Sequence, residues 1–266
     1  MVVLNGLKEL VDLNCRFARD KIQAKFFNRK LETKIAGIFA GHTVLNGPFS
    51  GLRYPGVGSV CSSVYPKLLG SYEKELQPGM TDIIAGRPPL IIDIGCAEGY
   101  YAVGLARCLP DTRVVAADIS AAARKLCQTM AALNSCMNVE VVAEITPQSL
   151  QHYDLKNAWI ICDCEGYELA LFTTEAIRCL KYSSRVIETH DFIDLSISEE
   201  LEKRFKASHH ITVIPSLDDL QKPKYYDYPE IAHLSKAERK QILAEGRPAV
   251  MEWLILTPKT ALTNGE

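Results

Sequence analysis

The stretch IIDIGCAEGYYAVGLA, residues 91–106, decides how this chain folds. Its first residues form a short apolar run ending at Asp93 and Ile94, which predicts a buried strand. Gly95 to Gly99 then predict a turn, and the rest has the spacing of a helix. Glycine at such a turn allows backbone torsions closed to other residues and a close approach to a bound molecule. In open α/β sheets, ligands bind outside the carboxyl ends of the strands where strand order reverses, so this turn marks a binding edge.

The ligand can be narrowed by what the turn lacks. Dinucleotide sites use Gly-x-Gly-x-x-Gly and seat a pyrophosphate on the helix N-terminus. Here Gly95 and Gly99 are one residue too far apart to be the last two glycines, and Ala97 stands where the second would be if Gly95 were the first. Asp93 and Glu98 would also repel a phosphate. The expected ligand therefore carries no pyrophosphate and offers a cationic or hydrogen-bond-donating part. Asp118 ends the next apolar run, RVVAAD (113–118), nineteen residues past Gly99, where an acid can accept both hydroxyl protons of a ribose.

Outward from this stretch the same rhythm repeats. From about Pro89, β-branched runs alternate with helical patterns, which predicts βαβ units and a mainly parallel sheet. The strands are expected at 90–94, 113–118, 139–145, 158–163, 185–190, 210–216 and 250–258, with helices over 98–108, from Ser120, over 167–181 and from Ser198. About thirty residues separate the last two strands, longer than an ordinary connection. Apolar residues at Leu4, Leu7, Leu10, Val11, Phe17, Ala18 and Ile22 predict amphipathic helices at the start, followed by a glycine-rich loop over 41–60.

A phosphate-free nucleoside with a cationic amino-acid tail is S-adenosylmethionine, and with DIGCAEG at 93–99 and Asp118 the chain resembles the Rossmann-like class I methyltransferases. Further on, DCEGYE at 163–168 and IETHD at 187–191 fit the pattern D-x-E-G-x-E followed by E-x-H. In this the sequence is similar to the FkbM family, over roughly residues 68–192, although Cys164 and Tyr167 depart from the commoner DVEGAE. The resemblance implies a seven-stranded, mostly parallel sheet with the last strand antiparallel, flanked by helices. Residues 81–266 would form the methyltransferase domain, and 1–80 a helical extension with a substrate-covering loop. It implies an O-methyltransferase acting on a hydroxyl of a sugar or specialised metabolite in natural product biosynthesis. Nitrogen or carbon acceptors, and a non-catalytic binding module, stay open. The implied cofactor contacts are Asp93, Gly95, Cys96, Ala97, Glu98, Gly99 and Tyr100 around the methionine part, Asp118 and Ile119 at the ribose, Glu144 near the adenine and Asp163 at the floor. Tyr72 and Glu73 reach in from the preceding helix.

Methyl transfer to an alcohol needs a group to take its proton. His190 is the candidate general base, orientated by Glu188 or Asp163. Asp163 or Glu165 could take the proton instead, and these residues could alternatively bind a divalent metal, though no metal is assigned. His42 and Arg53 are candidates to cover the substrate, and the tyrosines of YYDYPE (225–230) to line the acceptor pocket or pack against the sheet edge.

Composition sets the outer bounds. The 266 residues are 47% apolar and 23% charged, ordinary globular usage that excludes a fibrous or disordered chain. Thirty basic against thirty-two acidic residues give a net charge of −2, so no bulk field attracts nucleic acid or an anionic membrane. The basic run Arg16, Arg19, Lys21, Lys25, Arg29, Lys30 and Lys34 reads as a solvated helix face. The expected partner is a small hydroxyl-bearing acceptor, with a homodimer contact through the N-terminal helices. Glu9 and Asp12 interrupt the first apolar stretch, unlike a secretory signal, and nine cysteines without a Cys-x-x-Cys pair read as reduced thiols; a cytoplasmic protein is expected.

Overall fold

Strand order reverses once in the sheet, between β1 (Leu90–Ile94) and β4 (Trp159–Cys162). The computed structural model describes residues 29–60 and 62–259. The expected helices over residues 4–22, and the homodimer contact through them, lie outside the described residues.

The chain enters through helix α1 (Arg29–Ile35) and the 41–60 segment, then α2 (Val64–Leu69), a 3₁₀ turn at Lys74–Leu76 and α3 (Gln77–Gly86). β1 leads into α4 (Tyr100–Cys108), β2 (Arg113–Ala117), α5 (Ala121–Leu133) and β3 (Val139–Val142). After α6 (Pro147–Leu150) and β4 come α7 (Glu168–Leu171), α8 (Thr174–Cys179) and β5 (Ser184–Thr189), followed by α9 (Ile197–Phe205) and β6 (His209–Pro215). Short helices α10 (Lys222–Tyr225) and α11 (Lys236–Leu243) precede β7 (Glu252–Pro258). The sheet order is β3-β2-β1-β4-β5-β7-β6, parallel from β3 to β5 and antiparallel at both β7 pairings. This is the expected Rossmann-like seven-stranded sheet, with β7 inserted between β5 and β6.

Both faces are covered, which is why the central strands are apolar throughout. Ile91, Val114, Ile161 and Val186 face a core shared with α3, α4 and the segment 31–76. Ile92, Val115, Ile160 and Ile187 face α7, α8 and α9. The 41–60 loop is part of the first core, with Val44, Phe49, Leu52 and Tyr54 at most 3% exposed. Phe49 sits against Gly104, where a Cβ would lie 2.7 Å from the ring.

Two elements differ from the sequence reading. The helix expected over 167–181 is split at Phe172 and Thr173, because Arg204 donates 2.8 Å hydrogen bonds to the carbonyls of Leu169 and Phe172 and Thr173 caps a new helix through Ala176 N–H. Of the tyrosines in 225–230, Tyr225 is exposed, whereas Tyr226 and Tyr228 pack: they are buried beneath Lys74, and the Tyr228 hydroxyl donates to the Gly70 carbonyl at 3.1 Å. No described helix is long and apolar enough to cross a membrane, and the cysteines among the described residues are free thiols.

Candidate active site

At the reversal point the ends of β1 and β4 nearly touch. Gly95 has φ +84°, and a Cβ on it would lie 1.6 Å from the carbonyl oxygen of Asp163, so no other residue fits without parting the strands. Gly99, φ +97°, lets α4 start against α5, where a Cβ would lie 2.9 Å from Cys127 Sγ. The β2 carboxylate closes the turn. Asp118 Oδ2 accepts from Ala97 N–H at 2.9 Å and Oδ1 accepts from Ser120 N–H at 2.7 Å, so it is held at a fixed angle with lone pairs to spare. Burial raises its pKa while those two N–H groups oppose the rise. Arg124 lies close by, but its Nη1 is committed to the carbonyls of Asp118 and Ile119. This end of the turn is open: Gly95, Ala97 and Asp118 are half-buried, and Ile119 and Glu144 are exposed.

The other end is closed. Glu98 is 2% exposed and bound to Lys67 Nζ at 2.5 Å, with Ser59 Oγ and Val60 N–H also donating to it. Burial works against its charge, yet Lys67 and Val60 hold its pKa below the usual carboxylate value. Lys67 also lies over Tyr72, which meets Tyr100 edge-on with ring centroids 5.3 Å apart. Glu73 accepts from Tyr101 and from Arg247 at 2.5 Å, and burial still pushes its pKa up to about 7. Asp93 accepts from Ala102 N–H at 2.9 Å, and burial pushes it too up to about 7. Tyr72, Glu73, Glu98 and Tyr100, expected to meet the cofactor, are all buried in these contacts within the protein. Cys96 is buried beside Cys127.

A third group lies on the other side of the reversal. The β4 turn puts Glu165 at φ +54° and Gly166 at φ +96°, two consecutive left-handed residues that aim Glu165 toward the end of β5. There His190, 3% exposed, holds Glu168 Oε1 at 2.6 Å through Nδ1, while its Nε2 faces Asp163 Oδ1 at 3.4 Å and Glu165 Oε2 at 3.6 Å. Burial alone would lower the imidazole pKa, but the Glu168 hydrogen bond and the charges of Asp163, Glu188 and Glu168 push it up to about 10. The acids around His190 thus favour its charged form, a setting that works against the expected general-base role. The expected partner is corrected. Glu188 is buried against Arg247, with its pKa raised to about 7 by burial, and Glu168 fixes the ring instead.

Glu168 stands inside the quoted DCEGYE, so a reading that asked which acid the histidine leans on could have found it. Arg247 and Lys67 gave no signal, since each meets its acids only through the fold. Arg53 does not cover the site; it is fastened to Leu133 and Asn134 at the end of α5. A cleft of about 310 Å³ opens beside the end of β5, lined in part by Thr189, Asp191, Phe192 and Met251, and the Phe192 ring lies 5.7 Å from that of His190.

No family model matches the chain, and no curated protein matches it either. Among solved structures it is similar to an O-methyltransferase from Bacillus cereus in complex with SAH, at 11% identity over 94% of this chain and 100% of that one, TM-score 0.48. It is also similar to the O-methyltransferase TomG from Streptomyces achromogenes, involved in tomaymycin synthesis and in complex with SAM, at 15% identity over 68% and 80%, TM-score 0.46. An rRNA methylase from Streptococcus thermophilus covers 69% of this chain and 96% of its own, at 13% identity and TM-score 0.45.

Proposed function

We propose that the chain is an S-adenosylmethionine-dependent methyltransferase that methylates a hydroxyl of a small molecule, a sugar or specialised metabolite of the kind the FkbM resemblance implies. The observation that carries this is Asp118, a carboxylate pinned by two backbone N–H groups above an open edge at the reversal of strand order. Vicinal ribose hydroxyls would find both its oxygens there, Ala97 and Ile119 would flank the nucleoside, and Asp93 and the turn at Gly95 would meet the amino-acid end. Around the turn the nearby cations, Lys67 and Arg124, are already engaged, which suits a ligand without phosphates.

S-adenosylmethionine would supply a methyl group already activated on a sulfonium. The chain must then align an acceptor oxygen and remove its proton, and alignment alone can contribute several kcal/mol. Asp163 and Glu165, the half-exposed members of the rim, would be the groups to take that proton, and the cleft lined by Thr189 and Asp191, the neighbours of His190 in sequence, has a volume of about 310 Å³ that suits a small molecule.

Titration calorimetry with S-adenosylhomocysteine and with NADH tests this. The homocysteine ligand should bind, and Asp118→Ala should weaken it about 100-fold, since two hydrogen bonds to a charged group contribute about 1.5 kcal/mol or more each. Tight NADH binding without a response to S-adenosylhomocysteine would refute the proposal.

A further inference from the structure

We propose that Asp163, Glu165 and His190 form a binding site for a first-row divalent cation, with Glu168 as the group that fixes the histidine. The binding stands on the geometry below; only its use in catalysis rests on the methyltransferase reading.

His190 Nδ1 is committed to Glu168, whose side chain is 0% exposed, so the proton on that nitrogen is held and Nε2 faces outward, where a bound cation would take the place of its proton. Nε2 points at two carboxylates without a hydrogen bond to either: 3.4 Å to Asp163 Oδ1 and 3.6 Å to Glu165 Oε2 lie beyond the 2.7–3.2 Å of ordinary N–H···O bonds. Asp163 Oδ1 is itself buried with no hydrogen-bond partner. Three ligand atoms therefore converge within 4.8 Å of one another and satisfy none of each other's bonding capacity. An ion about 2.0–2.2 Å from each would set tetrahedral ligands about 3.4 Å apart, close to the separations seen. A ligating imidazole backed by a buried carboxylate is the usual outer-shell arrangement of a metal site, because it sets both tautomer and ring angle.

One nitrogen and two oxygens suit Mn²⁺ or Zn²⁺ better than Mg²⁺ or Ca²⁺, which prefer oxygen alone. Asp163 and Glu165 are 41% and 34% exposed, so an ion can enter from solvent and keeps open positions. An acceptor hydroxyl taking one of them would lose its proton more readily, as oxygen ligands of dications do.

The probe is MnCl₂ added to chelator-treated full-length protein, with free ion followed by electron paramagnetic resonance and variant folding checked by urea unfolding. One ion should bind per chain. Asp163→Asn should weaken it at least 10-fold and Glu168→Gln about 10- to 100-fold. Absence of Mn²⁺ or Zn²⁺ binding up to about 1 mM, a mere 4 kcal/mol, would overturn the proposal, as would binding that folded Asp163→Asn leaves unchanged. Mn²⁺ bound by a protein that ignores S-adenosylhomocysteine would uphold the metal site and sink the methyltransferase reading.

Discussion

Removing the ammonium from the Lys67–Glu98 pair should be among the most damaging single changes in the chain. Both side chains are 3% exposed and 2.5 Å apart, and Glu98 additionally takes hydrogen bonds from Ser59 and Val60. Lys67→Met leaves a carboxylate buried without its counter-ion, a loss of about 3–5 kcal/mol. At an unfolding entropy of about 2.1 cal/mol/K per residue, a 4 kcal/mol loss lowers the melting temperature of 266 residues by about 7 °C. Glu98→Gln preserves the acceptor for Val60 but strands the ammonium. The double variant Lys67→Met/Glu98→Gln removes both charges and should recover about 2 kcal/mol or more of the summed single losses. Because the folded Glu98 pKa lies below the unfolded one, the stability it contributes is present above the unfolded value, near 4.3, and is lost as pH falls through the folded value. The gap between wild type and Lys67→Met should accordingly narrow in acid. Urea unfolding followed by circular dichroism, at pH 7 and pH 3.5, measures all four proteins. A Lys67→Met variant within 1 kcal/mol of wild type, or strictly additive single losses, would show that the pair is solvated and that the reasoning fails.

Two further perturbations probe other parts of the fold. Gly95→Ala adds a Cβ 1.6 Å from the Asp163 carbonyl at a φ of +84°, and overpacking together with a left-handed alanine should cost at least about 3 kcal/mol; a melting temperature within 2 °C of wild type would contradict the strand approach seen here. His209, 1% exposed, has its pKa pushed down to about 4 by burial and by the charge of Arg185. The unfolded chain binds this proton first, so stability should drop by up to about 3 kcal/mol as pH falls from 6.5 to 4, and His209→Gln should flatten that part of the urea-unfolding profile; parallel curves for the two proteins would remove the assignment.

What the sequence disclosed depended on whether the cause was local. The central strands β1, β2 and β4 could be placed because their apolar runs are nearly continuous and bounded by turn residues, and Ser120 could be named as a cap, which it is through Ala123 N–H at 3.3 Å. The turn at Gly95 was legible, but its reason was not: the glycine faces the Asp163 carbonyl, 68 positions away, before it faces any ligand. The break between α7 and α8 was hidden for the same reason, since the residue that satisfies the freed carbonyls is Arg204, far along the chain on α9. Periodicity records which side chains are buried; it is silent on which distant donor makes an interruption tolerable.

The acids of the site show the same limit and explain the long insertion before β7. Asp93, Glu98, Glu73 and Glu188 invite assignment to a bound cation when seen as isolated letters near a glycine turn. In the fold, Glu98 is answered by Lys67, and Glu73, Glu188 and Glu245 converge on Arg247, with Lys222 bonded to Glu245 at 2.6 Å. Arg247 and Lys222 both belong to the insertion, and without them three buried carboxylates would face one another with no compensating charge, an arrangement that folding tolerates only by protonating them. The insertion therefore acts on the site electrostatically: it brings its own Glu245 paired with Lys222 and delivers Arg247 to Glu73 and Glu188, while Tyr226 and Tyr228 cover the hydrophobic side. With those acids neutralised, the carboxylates still turned outward are Asp118 on one side of the strand reversal and Asp163 with Glu165 on the other. The chemistry proposed for this chain would thus be divided between a hydroxyl-accepting acid at the open end of the glycine turn and a histidine-backed pair of acids at the end of β4.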